Sequence, residues 1–234
     1  MQYLSKSTIS AIPTFSNPVI LPRFSKCIRT AILLIIYFCL SACSVIGIRT
    51  APEPAFTVEQ SGPDVEIRRY EPMVVASTSV KGDFEAAGET AFQPLFEYIS
   101  GANDAKQEIP MTAPVVALAD EPSQRIPMTA PVIASRKDNQ WQYQFVLPAD
   151  MSVATAPEPT NPAVKIDARP ARKMAVWQFS GLLTEAKKNK NIAHLENWLK
   201  EQDRTSIGEP LIASYDPPWT IPWFRRNEVM IEIN

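Results

Sequence analysis

Few residues of this chain have the type and spacing that chemistry needs. His194 is the only histidine, so imidazoles cannot build a metal cage, and Met111 and Met128 offer no more than soft thioethers better suited to core packing. There is no glycine-rich phosphate loop, no GxSxG nucleophile turn and no pair of histidines at helical spacing, a pattern that predicts a binding protein rather than an enzyme. What the sequence does concentrate is aromatic surface on stiff backbone. Pro217-Pro218-Trp219-Thr220-Ile221-Pro222-Trp223-Phe224 sets three rings among three prolines. A segment held this way loses little entropy when a flat apolar body lies on it, although the same rings could cap a barrel or dock a partner protein. Cations able to steady an acidic ligand occur at Arg225 and Arg226, and at Lys187, Lys188 and Lys190, where lysines on a helix read first as a solvated face. Between Lys81 and Lys106 there is none, and Glu85, Glu89, Glu97 and Asp104 stand there instead.

The chain begins with four basic residues, Lys6, Arg23, Lys26 and Arg29, and no acid before the apolar run Ala31 to Leu40. Ten apolar residues fall short of the ~20 that span a bilayer, so residues 1–42 read as a signal peptide rather than a membrane helix. Leu40-Ser41-Ala42-Cys43 is similar to the bacterial lipobox, which implies cleavage before Cys43 and acylation of its thiol; the alternative is an ordinary signal peptide with an incidental cysteine. The reading predicts a protein of the cell envelope held by its lipids, with Ser44 after the cysteine favouring the outer membrane of a Gram-negative host. Cleavage would leave 19 basic against 25 acidic residues, a net charge near −6, which argues against nucleic acid as a partner. Cys27 and Cys39 would leave with the signal, so the mature domain would carry no disulfide and no thiolate site.

The elements that must position these residues come in two copies. Residues 43–56 read as a lipidated tether and 57–234 as one domain, with halves at about 57–150 and 151–234. A shift of 99 residues lays Val65-Glu66-Ile67 on Val164-Lys165-Ile166, Ala76 on Ala175 and Gly82 on Gly181. Each half reads as a strand, a turn at Pro72 or Pro170, a second strand, a glycine and a helix. The first helix is predicted from Phe84 to Ser100, capped by Asp83 and stopped by Gly101, with Phe92, Leu95, Phe96 and Ile99 on one apolar face. The second runs from Thr184 to Gln202 with Ile192, Leu195 and Leu199 on a stripe beside Trp198. After the helices a shift of 100 sets Pro110-Met111-Thr112-Ala113 against Pro210-Leu211-Ile212-Ala213. Alternating strands from Trp141 and from Glu228 close the halves. Ile109-Pro-Met-Thr-Ala-Pro-Val115 recurs as Ile126-Pro-Met-Thr-Ala-Pro-Val132, a spacing that suits two neighbouring antiparallel strands. The fold class is therefore α+β: a pseudo-twofold, duplicated, distorted antiparallel barrel or curved sheet with two flanking helices, monomeric.

The doubled MTAPV, the opening VEIRRYEPMVVA, LFEYISGAN, NPAVKIDARPARKMAVWQFSG and the closing PPWTIPWFRRNEV resemble the SOUL heme-binding family in content and order, from Thr57 to Asn234. The resemblance implies a duplicated barrel-like fold and, for some members, binding of heme or a related tetrapyrrole in a groove along the first helix and the late aromatic loop. Carried to this chain, the groove residues are Phe92, Phe96, Trp219, Ile221, Trp223 and Phe224, with Lys187 and Arg225 as partners for acidic groups. Phe92 and Phe96 fit the core more readily than a groove by helical period alone. No axial histidine is implied, and His194 reads as a boundary or surface residue, so heme would be seated weakly by burial of its macrocycle. Two other readings stay open: a module for another small hydrophobic effector, and a structural or protein-docking lipoprotein.

Overall fold

Strands form where apolar residues alternate and helices where they recur every third or fourth place, and both periods are realised. The computed structural model describes residues 49–105 and 123–234. Phe56–Ser61 (β1), Val65–Tyr70 (β2) and Met73–Val80 (β3) lead into helix α1, Phe84–Ser100. Asn103–Asp104 (β4), Val132–Lys137 (β5), Gln140–Val146 (β6) and Glu158–Pro159 (β7) complete the first half. Lys165–Arg169 (β8), Arg172–Ser180 (β9), helix α2 (Glu185–Glu201), Ser206–Ser214 (β10) and Arg226–Ile233 (β11) form the second, with a 3₁₀ turn at Pro222–Phe224. Both helices start where a side chain can satisfy a free backbone donor. Asp83 accepts from Ala86 N at 2.8 Å and Thr184 accepts from Lys187 N at 3.3 Å, while Gly101 ends α1 in the left-handed conformation at φ 119°. Among the described residues no helix is long and apolar enough to cross a membrane.

Nine strands make one strongly curled antiparallel half-barrel in the order β1-β2-β9-β11-β10-β5-β6-β3-β8, and β4 pairs with β7 separately. Apart from β1, the order is a palindrome of the two halves about the β10–β5 seam. The repeat is paired crosswise: Ile67 of β2 lies opposite Ala175 of β9, and its counterpart Ile166 of β8 lies opposite Ala76 of β3. Each half thus contributes its first strand to the other half's sheet, which locks the copies into one cooperative unit. Helix residues Leu95 and Leu195 pack with Val229 and Ile231 on one face of the sheet, and Met174, Val176 and Met230 form a second core on the other.

Several placements differ from the sequence reading. Residues 49–55, read as tether, lie against the sheet: Arg49 pairs with Asp216 at 2.8 Å, Glu53 with Arg226 at 3.0 Å, and Ala130 N donates to Pro52 O at 2.9 Å. The second MTAPV copy is an extended lead-in, with a cis Ala130–Pro131 bond, and only Val132 enters β5. The first copy, with Met111, lies outside the described residues, and so does the match of Pro110–Ala113 to Pro210–Ala213; β10 pairs with β5. Met128, expected in the core, is exposed, because the segment bearing it runs along the surface before joining the sheet.

Tyr98 ties α1 to the loop before β7, donating its hydroxyl to Pro157 O at 3.1 Å from a fully buried position. Burial, with Glu158 adding its charge, pushes that hydroxyl up to about 12. A raised acid favours the folded state below its unfolded value near ~10. Its contribution should therefore be intact below that pH and vanish as pH climbs to about 12. Tyrosinate absorbance and unfolding followed together should show late titration coincident with loss of structure, and Tyr98→Phe should make stability less steeply dependent on pH between ~10 and about 12.

Candidate functional site

At the β10–β5 seam the two halves meet, and small side chains line a groove there. Ala134 and Ser214 form the floor with Ile212 and Val132, Gly88 and Glu89 of α1 form one wall, and Leu183 closes the other side of a groove of about 290 Å³. Gly88 is what lets α1 come so close: a Cβ there would meet the Tyr143 hydroxyl at 3.1 Å, and that hydroxyl donates to Phe84 O at 2.7 Å. The helices are coupled at the groove's end. Glu85 of α1 accepts from Glu185 N of α2 at 3.0 Å, placing a carboxylate at the positive end of the second helix.

One turn along α1 from the groove stand Phe92 and Phe96. Their rings stack at 5.7 Å and 14°, Phe92 meets Phe145 edge-on at 5.5 Å, and they are 41% and 43% exposed. The core expectation fails for both. Leu95 and Ile99 occupy the buried side of the helix, and an apolar stripe four residues wide is broader than the sheet can cover. The aromatic loop springs from Ser214, which pairs with Val132, itself opposite Phe145 under Phe92. Trp219 and Trp223 are 65% and 69% exposed, Phe224 is also exposed, and Ile221 is half-buried. Arg225 stiffens this loop from within, donating to Thr220 O at 2.8 Å and to Pro218 O, while Asp216 accepts from Arg226 N at 2.6 Å.

The expected cations are therefore engaged elsewhere. Arg225 braces its own loop and Lys187 donates to Ser180 O. Lys188, read as part of a solvated face, is 4% exposed, with its ammonium 4.9 Å from the Phe84 ring and 4.4 Å from the Trp141 ring and paired with Glu185 at 3.4 Å. The aromatic faces attract the cation and compensate its burial. His194 is exposed, as its place at the stripe's edge predicts, with its ring 4.0 Å from that of Trp177 on β9. Two strands separate β9 from β5, and the groove floor is built by β10 and β5, so this imidazole stands outside the groove. Among the described residues no group of three or more His, Cys, Asp or Glu is arranged to hold a metal ion.

The sequence reading missed a buried charge cluster on the opposite face of the sheet. Glu228, 0% exposed, accepts from Arg68 at 3.1 Å, from Arg226 at 2.8 Å and from the Tyr215 hydroxyl at 2.6 Å. Burial first, and then the Glu228 charge, raises the Tyr215 hydroxyl far above its ordinary value. A signal was available: within RRNEVMIEI, alternation puts Glu228 on the same side as Met230, a carboxylate in a row that must be buried.

A family profile described as SOUL heme-binding protein matches residues 51–232. Heme-binding protein 1 of Xenopus tropicalis is 30% identical over 172 residues, 73% of this chain and 84% of that protein. Heme-binding protein 2 of Homo sapiens is 28% identical over 150 residues, 62% of this chain and 68% of the relative. Among solved structures, the C-terminal domain of EcmrR superposes with a TM-score of 0.52 at 12% identity, over 73% of this chain and 96% of that one, a likeness of fold alone.

Proposed function

Because the chain belongs to the SOUL heme-binding protein family, we propose that it binds heme or another flat tetrapyrrole, without catalysis, along α1 between the stacked Phe92–Phe96 pair and the aromatic loop. The observation that carries this reading is a set of exposed rings on two rigid supports: Phe92 and Phe96 on α1, the helix that walls the groove, and Trp219, Trp223 and Phe224 on the braced loop that follows the groove residue Ser214. Exposed aromatic surface of this extent is costly in water and marks a face that something apolar covers. The residues suit the macrocycle. They do not suit an iron bond, since His194 rests on Trp177 away from the groove, nor a strong clasp on propionates, since Lys187 and Arg225 hold backbone carbonyls. Seating is by burial, with the acidic groups left toward solvent, and suits a carrier or store more than a redox centre. Acylation at Cys43, outside the described residues, would tether this activity to the cell envelope, with no nucleic-acid partner and the domain monomeric.

Hemin and a metal-free porphyrin titrated separately into the protein, read by the Soret band and tryptophan quenching, should both bind saturably at one equivalent. His194→Ala should leave both affinities unchanged. Binding of hemin alone, lost in that variant, would overturn the ligand-free seat, and binding of neither by folded protein would overturn the tetrapyrrole reading in favour of a partner docked on the loop. For the anchor, Cys43→Ser should release the protein from membranes, and retention there would refute acylation.

A further inference from the structure

A larger cavity, about 500 Å³, lies at the rim of the sheet and shares no lining residue with the α1 groove. It forms where the β2–β3 turn, the end of β8 and the segment after β6 meet Pro52–Ala55 of the N-terminal strap. Its size is that of a small-molecule pocket, and Met73, Val74, Val146, Leu147 and Met151 give it an apolar lining. Three charged residues line it, Glu53, Glu71 and Arg169. Of its carboxylates, Glu53 is paired to Arg226 at 3.0 Å and Glu71 is an exposed rim residue. Arg169, also in the lining, has Asp167 at 3.7 Å as its ion-pair partner among the described residues, and that carboxylate already accepts from Ser77 at 3.0 Å. Across the β8–β9 turn, Arg172 lines a small void that shares the Pro54 and Met73 walls with the cavity. Its buried Nε–H meets no acceptor among the described residues, and its nearest ion-pair partner, Glu232, is 4.0 Å away. Burial chiefly lowers the Arg172 pKa; the Glu232 charge opposes this and the like charge of Arg169 adds to it.

We propose that this cavity is a second binding site, for an apolar carboxylate of the fatty-acid type, whose hydrocarbon fills the methionine- and valine-lined space and whose headgroup pairs with Arg169, while Arg172, behind the shared Pro54 and Met73 walls, adds its positive charge. Chain and charge both contribute, because most of the lining offers dispersion and burial, and among the described residues the ion-pair partner of Arg169 is no nearer than 3.7 Å. The site is distinct from the tetrapyrrole groove and stands or falls independently of it.

The test titrates the full chain with cis-parinaric acid, followed by its fluorescence, and with its methyl ester. The acid should bind saturably at one equivalent and the ester about tenfold more weakly, the difference a charged hydrogen bond makes. Arg169→Gln, at a partly exposed position at the end of β8, should weaken the acid about tenfold and leave the ester unchanged. Val153→Trp, which fills the mouth from an exposed wall position, should block both. Phe92→Ala/Phe96→Ala should have no effect, and hemin should not displace the probe. Equal binding of acid and ester with Arg169→Gln silent, displacement by hemin, loss in the Phe92/Phe96 variant, or no binding by folded protein would each overturn the proposal. The hemin titration itself reads the groove separately.

Discussion

Glu228→Ala is expected to cost about 3–5 kcal/mol of folding stability, the range for removing one partner from a buried ion pair. The carboxylate is fully enclosed and accepts from Arg68, Arg226 and Tyr215, so its loss leaves cationic and hydroxyl donors facing one another in an apolar layer of Met174, Val176 and Met230. Arg226 retains Glu53 and Arg68 retains Glu66, but both of those carboxylates are partly exposed and cannot turn inward without giving up water. Domains of this size hold only ~5–15 kcal/mol in total, so the variant should unfold at a much lower urea midpoint with an unchanged slope. Glu228→Gln, which keeps the shape and one acceptor, should recover part of the loss. A cost below about 1 kcal/mol would mean that the cluster is hydrated or dispensable, contrary to its geometry.

Phe92→Ala/Phe96→Ala should weaken porphyrin binding about 30-fold while leaving the fold nearly untouched. Full burial of a phenylalanine contributes ~1.5–3 kcal/mol, and both rings are already part-covered, so a macrocycle laid over them can gain roughly 1 kcal/mol from each, or ~2 kcal/mol together. Stability should change little, because Leu95 and Ile99 hold α1 to the sheet and neither phenylalanine belongs to the core. Porphyrin affinity unmoved by the double variant would relocate the seat away from α1. A large fall in stability would show that the stacked pair is structural instead.

Legibility tracked distance along the chain. Asp83, Gly101 and Thr184 announced the helix ends because capping is settled within three or four residues. The strands at Trp141 and Glu228 were legible from alternation, and the repeat from its 99-residue offset, which reappears in the paired residues Ile67–Ala175 and Ala76–Ile166. The aromatic loop was legible as a display of rings, and the structure adds Arg225 as its internal brace. The second MTAPV copy misled, since an extended, proline-rich segment has the same pattern whether it joins a sheet or lies beside one.

By itself the sequence determined the identity of each element, the duplication and the residue classes available for binding, because periodicity, capping and composition are local properties. Tertiary structure alone decided that the first strands exchange between halves, that Phe92 and Phe96 face outward while Lys188 is buried between rings, and that Arg68, Glu228 and Arg226 converge. The physical reason is that a side chain's burial depends on which distant strand comes to lie opposite it. Two copies of one pattern can pair within themselves or with each other without changing a single local preference.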